Sequence, residues 1–238
     1  MSEWSVRRIH AIQALTGAAR YLEVGVYGGG TFLNVQLPTK DAVDPAFQFD
    51  PKGFASERVR FFQMPSDEFF ASRHAKAHYD VIFLDGLHTF EQTFRDFLAT
   101  LPLSHDRTVW LIDDTLPSDA YSALPDQAHS YREREKAGIP GNPWHGDVYK
   151  VICAIHDFCP NLDFATIVDH GNPQTLVWRQ PREAFKPEFR NLEDISRLSY
   201  FDIEKNESAM RFSTEEQAMA RVAAALLGRT GAPDSKLF

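Results

Sequence analysis

Short apolar runs alternate with amphipathic helical stretches along most of this chain, and that alternation limits the available folds more than any other feature. The segments "RYLEVGV", "DAVDP", "RVRFFQM", "YDVIFLDG" and "RTVWLIDD" each read as a buried strand, rich in β-branched and aromatic residues. Helical spacing separates and flanks them. Val6, Ile9, Ile12 and Leu15 recur on one face near the start, and "GDVYKVICAIHDF" reads as a later helix. Thr89 and Gln92 have capping-box spacing ahead of a stripe formed by Phe90, Phe94, Phe97, Leu98 and Leu101. Two last strands, "LDFATIVD" and "QTLVWRQ", flank the turn "HGNP". Strands alternating with helices predict an α/β fold: a doubly wound, mostly parallel sheet of seven strands, the last antiparallel.

That pattern fills residues 1–180, which are expected to form one domain. Two stretches depart from it. Residues 115–146 contain four prolines and the charged run "REREK". A loop this long in a compact domain is usually a lid or binding segment, the alternative being a solvated surface insertion. Residues 181–238 read as a polar linker followed by a helix near 214–227, with Ser213 and Glu216 as a capping box and Gly228 as its stop. This extension is expected to pack on the sheet or on a second subunit, as a candidate homo-oligomer contact.

A net charge of −8 argues against a nucleic-acid partner held by phosphate neutralisation. No stretch approaches membrane-spanning length, and the start lacks the apolar core of a signal peptide, so the expectation is a cytoplasmic protein with no membrane partner. Cys153 and Cys159 are too few for a disulfide framework. In "CAIHDFC" they suit helix packing better than zinc, because the paired spacing of zinc sites is absent.

Four glycines occupy six positions in "GVYGGG", residues 25–30, directly after an acid-bearing strand. A strand, glycine turn and helix opening an α/β sheet is where nucleotide-like ligands bind, since glycine lets backbone and ligand approach closely. The dinucleotide fingerprint fails here, because its third position is Tyr27. Glu23 fits that failure: a carboxylate would repel a pyrophosphate but suits a cationic ligand. Asp44 ends the second strand, 21 residues after Glu23, where such folds place an acid on ribose hydroxyls; a turn residue before Pro45 is the alternative.

The stretch "LEVGVYGGGT", with Glu23, Gly25, Tyr27, Gly28, Gly29 and Thr31, resembles the first motif of class I S-adenosylmethionine-dependent methyltransferases, whose fold is Rossmann-like. "YDVIFLDGLHTFEQTFRDF", "WLIDDT" and "GDVYKVI" resemble the group of macrolide-sugar and rhamnosyl O-methyltransferases and cephalosporin hydroxylase. The resemblance runs from Tyr21 to Arg179. It departs at Phe90, where the group usually has tyrosine, and in lacking a Gly-Gly pair before the fifth strand. It implies that S-adenosyl-L-methionine is the cofactor and that the glycine turn lies under its methionine part. The strand-end acids Glu23 and Asp85 would then lie near its amino end. It also places Ser66 near the adenine, although Ser66 equally reads as a plain helix N-cap.

Methyl transfer from a sulfonium demands alignment of the acceptor and removal of its proton. Asp85, Asp113 and Asp114 end two neighbouring strands at the carboxyl edge, where three carboxylates suit a hard ion such as Mg2+; the alternative is that they terminate strands and cap loops. His88 and His145 are candidate general bases, and Asp85 a further proton acceptor. Trp144 is either a wall for a sugar ring or a loop anchor. The combined expectation is a divalent-metal-dependent O-methyltransferase acting on a hydroxyl of a sugar-containing or other small metabolite. Its rivals are a non-catalytic cofactor-binding module, a metal-dependent hydrolase using Asp85 and His88, and an NAD oxidoreductase.

Overall fold

The computed structural model describes residues 2–72, 77–183 and 185–227. Helix α1 (Ser2–Thr16) precedes strands β1 (Arg20–Val24), β2 (Thr39–Asp44) and β3 (Val59–Gln63). Then come α2 (Ser66–Ala71), β4 (Tyr79–Leu84), α3 (Phe90–Thr100) and β5 (Ser104–Ile112). Helices α4 (Gln127–Lys136) and α5 (Tyr149–Phe158) lead to β6 (Leu162–Ile167) and β7 (Gln174–Arg179). The chain ends in α6 (Leu192–Ser196), α7 (Glu207–Met210), β8 (Phe212–Ser213) and α8 (Glu215–Leu227).

The strands form one sheet in the order β3-β2-β1-β4-β5-β7-β6-β8. Only β7 runs antiparallel to its neighbours, β5 and β6. The seven strands legible in the sequence are all present. The eighth, β8, is a two-residue pairing with the end of β6, too short to leave a periodic signal. Strand order reverses between β1 and β4, which creates the crevice at the carboxyl ends where such sheets bind ligands.

Successive residues of each central strand supply opposite faces, so the sheet carries two cores. Leu22, Val24, Ile82, Leu84, Trp110 and Ile112 pack on the side of α3 and α5. Tyr21, Val81, Phe83, Val109 and Leu111 pack on the side of α1 and α8. Cys153 and Cys159 are buried free thiols in the first core, consistent with packing rather than metal binding. Ala218, Val222 and Leu226 of α8 are buried beside α1 and β6, so the extension covers its own sheet. Among the described residues no helix is long and apolar enough to cross a membrane.

Several local expectations shift. The box opening α8 is formed by Thr214 and Gln217, each accepting from the other's backbone N–H, because Ser213 is drawn into β8. Gly228, the expected stop, lies outside the described residues. At α3 only half the box forms: Thr89 accepts from Gln92 N, but the Gln92 side chain turns away to Ser66, Asp67 and Asp96. Leu98, assigned to the apolar stripe, is 42% exposed. The run "REREK" is helical, within α4, and its Arg134 is buried in a bidentate pair with Asp119.

Asp80 ties the sheet's lower edge together. It accepts from Ala19 N and Arg20 N at 2.8 Å each, and from His105 Nε2 at 2.8 Å. Burial pushes its pKa up, but those three bonds outweigh burial and hold it at about 2. A carboxyl depressed on folding stabilises above its unfolded pKa and loses that contribution as pH falls through the folded value. Allowing for solvent screening, Asp80→Asn should cost about 1 kcal/mol at pH 6. Urea titrations should show the gap from wild type closing between pH 4 and pH 2.

Candidate functional site

The glycine turn is built from below by charged groups. Glu23 is only 1% exposed and accepts from the Tyr21 hydroxyl at 2.5 Å; burial raises its pKa well above the ordinary range. It sits beneath the turn, in the sheet's interior. Lys40 Nζ donates to the Phe32 and Val35 carbonyls at 2.7 and 2.9 Å, closing the segment that follows, where Thr31 is also buried. Asp44 holds the turn itself. Its Oδ2 accepts from Val26 N and Tyr27 N at 2.8 and 2.7 Å, and its Oδ1 from Ala46 N at 2.7 Å. The acid expected on a ligand therefore also organises the backbone beside it.

The glycines differ in what they do. Gly25 has φ +86°, and a Cβ there would sit 1.9 Å from the Asp85 carbonyl oxygen. Its lack of a side chain lets the turn after β1 cross the chain leaving β4. Gly28 has open space where a Cβ would go, while Gly29 has φ +77° and packs against Leu33 and Phe49. Tyr27, left-handed at φ 46°, is 72% exposed. Ser66 is not the N-cap, since Pro65 occupies that position without a side-chain bond. Its hydroxyl instead accepts from Gln92, which also donates to the buried Asp96.

Leu84 pairs with Ile112 in register, so Asp85 and Asp113 leave the sheet side by side. His88 lies between two carboxylates: Nδ1 is 2.9 Å from Asp114 Oδ2 and 3.1 Å from the Trp144 carbonyl, and Nε2 is 3.6 Å from Asp85 Oδ1. Burial lowers its pKa, but the bonds and charges of Asp114 and Asp85 outweigh this and raise it strongly. The two flanking carboxylates favour the imidazolium form of His88, which sits between them as a balancing cation. Asp114 is correspondingly low: burial pushes it up, and the bond and charge of His88 bring it down. Asp85 is raised by burial, as is Asp113, with the neighbouring carboxylates adding to both.

The three acids do not share one point. Ligand atoms of Asp85, His88 and Asp114 lie within 4.8 Å of one another, and His88 stands in the place expected for Asp113. Asp113 Oδ1 accepts from Asp114 N at 2.8 Å and from Asn172 Nδ2. Asp114 has φ 57°, a left-handed turn, and the Asn172 amide bridges the two consecutive acids.

His145 is buried, with Nε2 4.0 Å from Asp114 Oδ1, and its Nδ1 has no hydrogen-bond partner. Burial lowers its pKa, so it is neutral at pH 7. Trp144 is an anchor. Its ring stacks on His88 at 4.7 Å and its Nε1 donates to the Leu124 carbonyl at 2.8 Å. A Cβ on Gly146 would lie 1.6 Å from the His88 carbonyl oxygen, so the end of the 115–146 segment presses directly on the site. Asp147 fastens it there, accepting from Phe90 N at 2.7 Å and pairing with Lys150 at 2.9 Å. Asn172 and Asp147 were not singled out from the sequence. Asn172 read only as part of a turn, and its partners lie 58 and 59 residues away.

Residues 22–115 match the family model for a methyltransferase domain. No curated protein matches the chain. Among solved structures, a putative caffeoyl-CoA O-methyltransferase from Staphylococcus aureus aligns at TM-score 0.52 and 13% identity, over 74% of this chain and 83% of that one. The plantazolicin methyltransferase BpumL, solved with a monoazolic desmethylPZN analog and SAH, aligns at TM-score 0.53 and 12% identity, over 75% and 84%. SAH-bound methyltransferase PaMTH1 from Podospora anserina aligns at TM-score 0.50 and 14% identity, over 75% and 77%. At these identities the likeness is one of fold.

The two turn glycines separate folding from ligand approach. Gly25→Ala should lose about 3 kcal/mol or more through its clash with the Asp85 backbone, whereas Gly28→Ala should change stability by less than about 0.5 kcal/mol. Urea unfolding of both variants measures the contrast.

Proposed function

We propose that this chain, a class I methyltransferase by the fold of its sheet and by the match over residues 22–115, transfers a methyl group from S-adenosylmethionine to a hydroxyl of a sugar-containing or other small metabolite. The observation that carries the reading is the close crossing, at the switch point, of Gly25 in the glycine turn with the backbone of Asp85, whose carboxylate clusters with His88 and Asp114. A ligand bearing an ammonium and a sulfonium suits that acidic edge, and a pyrophosphate does not. In this reading Gly25, Tyr27, Gly28, Gly29 and Thr31 frame the methionine part, and Asp44 faces the ribose with its remaining lone pairs. Ser66 lies toward the adenine, and Glu23 supports the turn from within. The partner is a small acceptor, since a chain of net charge −8 offers little to a nucleic-acid backbone.

S-adenosylmethionine supplies the electrophilic methyl, whose bond to sulfur breaks as the bond to the acceptor oxygen forms, the electron pair remaining on sulfur. His145 takes the acceptor's proton at Nδ1, the ring nitrogen left without a partner. Asp114 stabilises the imidazolium that results, and the neighbouring His88 keeps that carboxylate ionised. Trp144 and Gly146 seat the segment that delivers His145.

A divalent ion is a second reading, favoured by the clustering of Asp85, His88 and Asp114. Two carboxylates and an imidazole suit manganese or zinc better than magnesium, which prefers oxygen ligands, and His88 would have to surrender its proton to bind. Such an ion would lower the pKa of the acceptor hydroxyl. Asp113, engaged by Asn172, falls outside this set.

Calorimetry should detect S-adenosylhomocysteine binding and none of NAD, and Gly28→Val should weaken that binding without lowering the unfolding midpoint. Preferential NAD binding would sink the cofactor assignment. Against a panel of glycosides and other alcohols, methyl transfer should persist in chelator and fall by about 10²- to 10⁴-fold in His145→Ala. Loss in chelator, with cofactor affinity retained, would favour the metal reading instead.

A further inference from the structure

Asn172 lies in the turn between β6 and β7, on the far side of the sequence from the acids it touches. Its Nδ2 donates both to Asp113 Oδ1 and, at 2.8 Å, to Asp114 Oδ1. Asp114 Oδ1 is the same atom that faces His145 Nε2, while Asp114 Oδ2 is held by His88. The carboxylate is thus clamped at both ends, and the clamp on the His145 side is a single amide.

The turn carrying Asn172 is itself locked by α1. Arg8 is fully buried, and its Nη1 donates to the Asn172 carbonyl at 2.8 Å and to Gln174 Oε1 at 2.7 Å. Its Nη2 donates to the His170 carbonyl, and its Nε to Glu215 of α8 at 2.9 Å. The Trp4 ring packs so closely on Gly171 that a Cβ there would lie 2.3 Å from it. Burying an arginine is costly unless its donors are used, and here three of its four bonds fix the stretch from His170 to Gln174. That rigidity exceeds what a surface hairpin requires. Its Asn172 amide reaches the acids, beside the Pro173 carbonyl that accepts from Thr115 N.

We propose that Asn172 is a positioning residue for methyl transfer, fixing Asp114 Oδ1 toward His145, and that Arg8 holds Asn172 in place. The inference rests on His145 being the proton acceptor. Neutral imidazole has one N–H, and the Asp114 charge 4.0 Å from Nε2 together with the side-chain bond to Asn172 favours it there, leaving the Nδ1 lone pair for the acceptor. Without the clamp the carboxylate rotates and the two tautomers mix.

The test is nitrogen-15 NMR of the histidine rings in the full-length protein, with S-adenosylhomocysteine calorimetry as the control for an intact cofactor site. Wild type should show His145 as the Nε2–H tautomer. Asn172→Ala and Arg8→Lys should both shift its ring signals toward a tautomer average, while cofactor affinity stays within about twofold, since neither residue touches the glycine turn. Arg7→Ala should leave the signals unmoved, because Arg7 meets the same Glu215 only from the solvent side. If Asn172→Ala does not fold, Asn172→Ser decides, being polar yet too short to span both acids. Unchanged His145 signals in the folded Asn172 variant would overturn the positioning role. A wild-type His145 that is charged, or protonated on Nδ1, would instead overturn its role as proton acceptor.

Discussion

Three carboxylates leaving adjacent strands repel one another, and the site is organised around relieving that repulsion. His88 does most of it, inserted between Asp85 and Asp114 as a cation. Asp113 relieves the rest: burial and the neighbouring carboxylates favour its neutral form, opposed by the donors Asn172 and the Asp114 backbone at its Oδ1. The neighbouring segments follow from this arrangement. Trp144 stacks on the ring that carries the charge, and Gly146 reaches the His88 backbone. Burial lowers the pKa of His145, and the His88 charge beside it acts in the same direction.

The fold was legible because its elements are local. Each central strand announces itself by composition, and the helical stripes by period, so the doubly wound sheet could be read directly. Which acids converge was not. "DD" past a strand end states that two carboxylates are present, but not that Asp114 turns left-handed or that one distant amide bridges the pair. A histidine three residues after an acid reads as a base until it is seen pressed against a second carboxylate. The caps show the same limit on a smaller scale: Ser213 and Glu216 have the right spacing, yet strand pairing moves the box one residue on to Thr214 and Gln217.

The extension illustrates how a segment with no catalytic residue is nevertheless part of the site's support. Its helix α8 covers the sheet beside α1 and supplies Glu215 to the buried Arg8, whose other donors set the β6–β7 turn. Residues near both ends of the described chain therefore brace one loop at the catalytic edge. A charged residue at full burial is tolerated here because it has four acceptors at once.

The position of β7 between β5 and β6 has a consequence for the order in which the molecule assembles. β5 has no parallel neighbour on that side, so its edge stays bare until the β6–β7 hairpin forms and docks as a unit. That hairpin brings Asn172, whose partners were synthesised nearly sixty residues earlier. Such distant closures come late, after local helices and the first parallel strands have formed. On a growing chain the acid pair thus lacks its shared amide donor until the turn before the seventh strand is made. Completion of the acid edge is thereby coupled to sealing of the sheet.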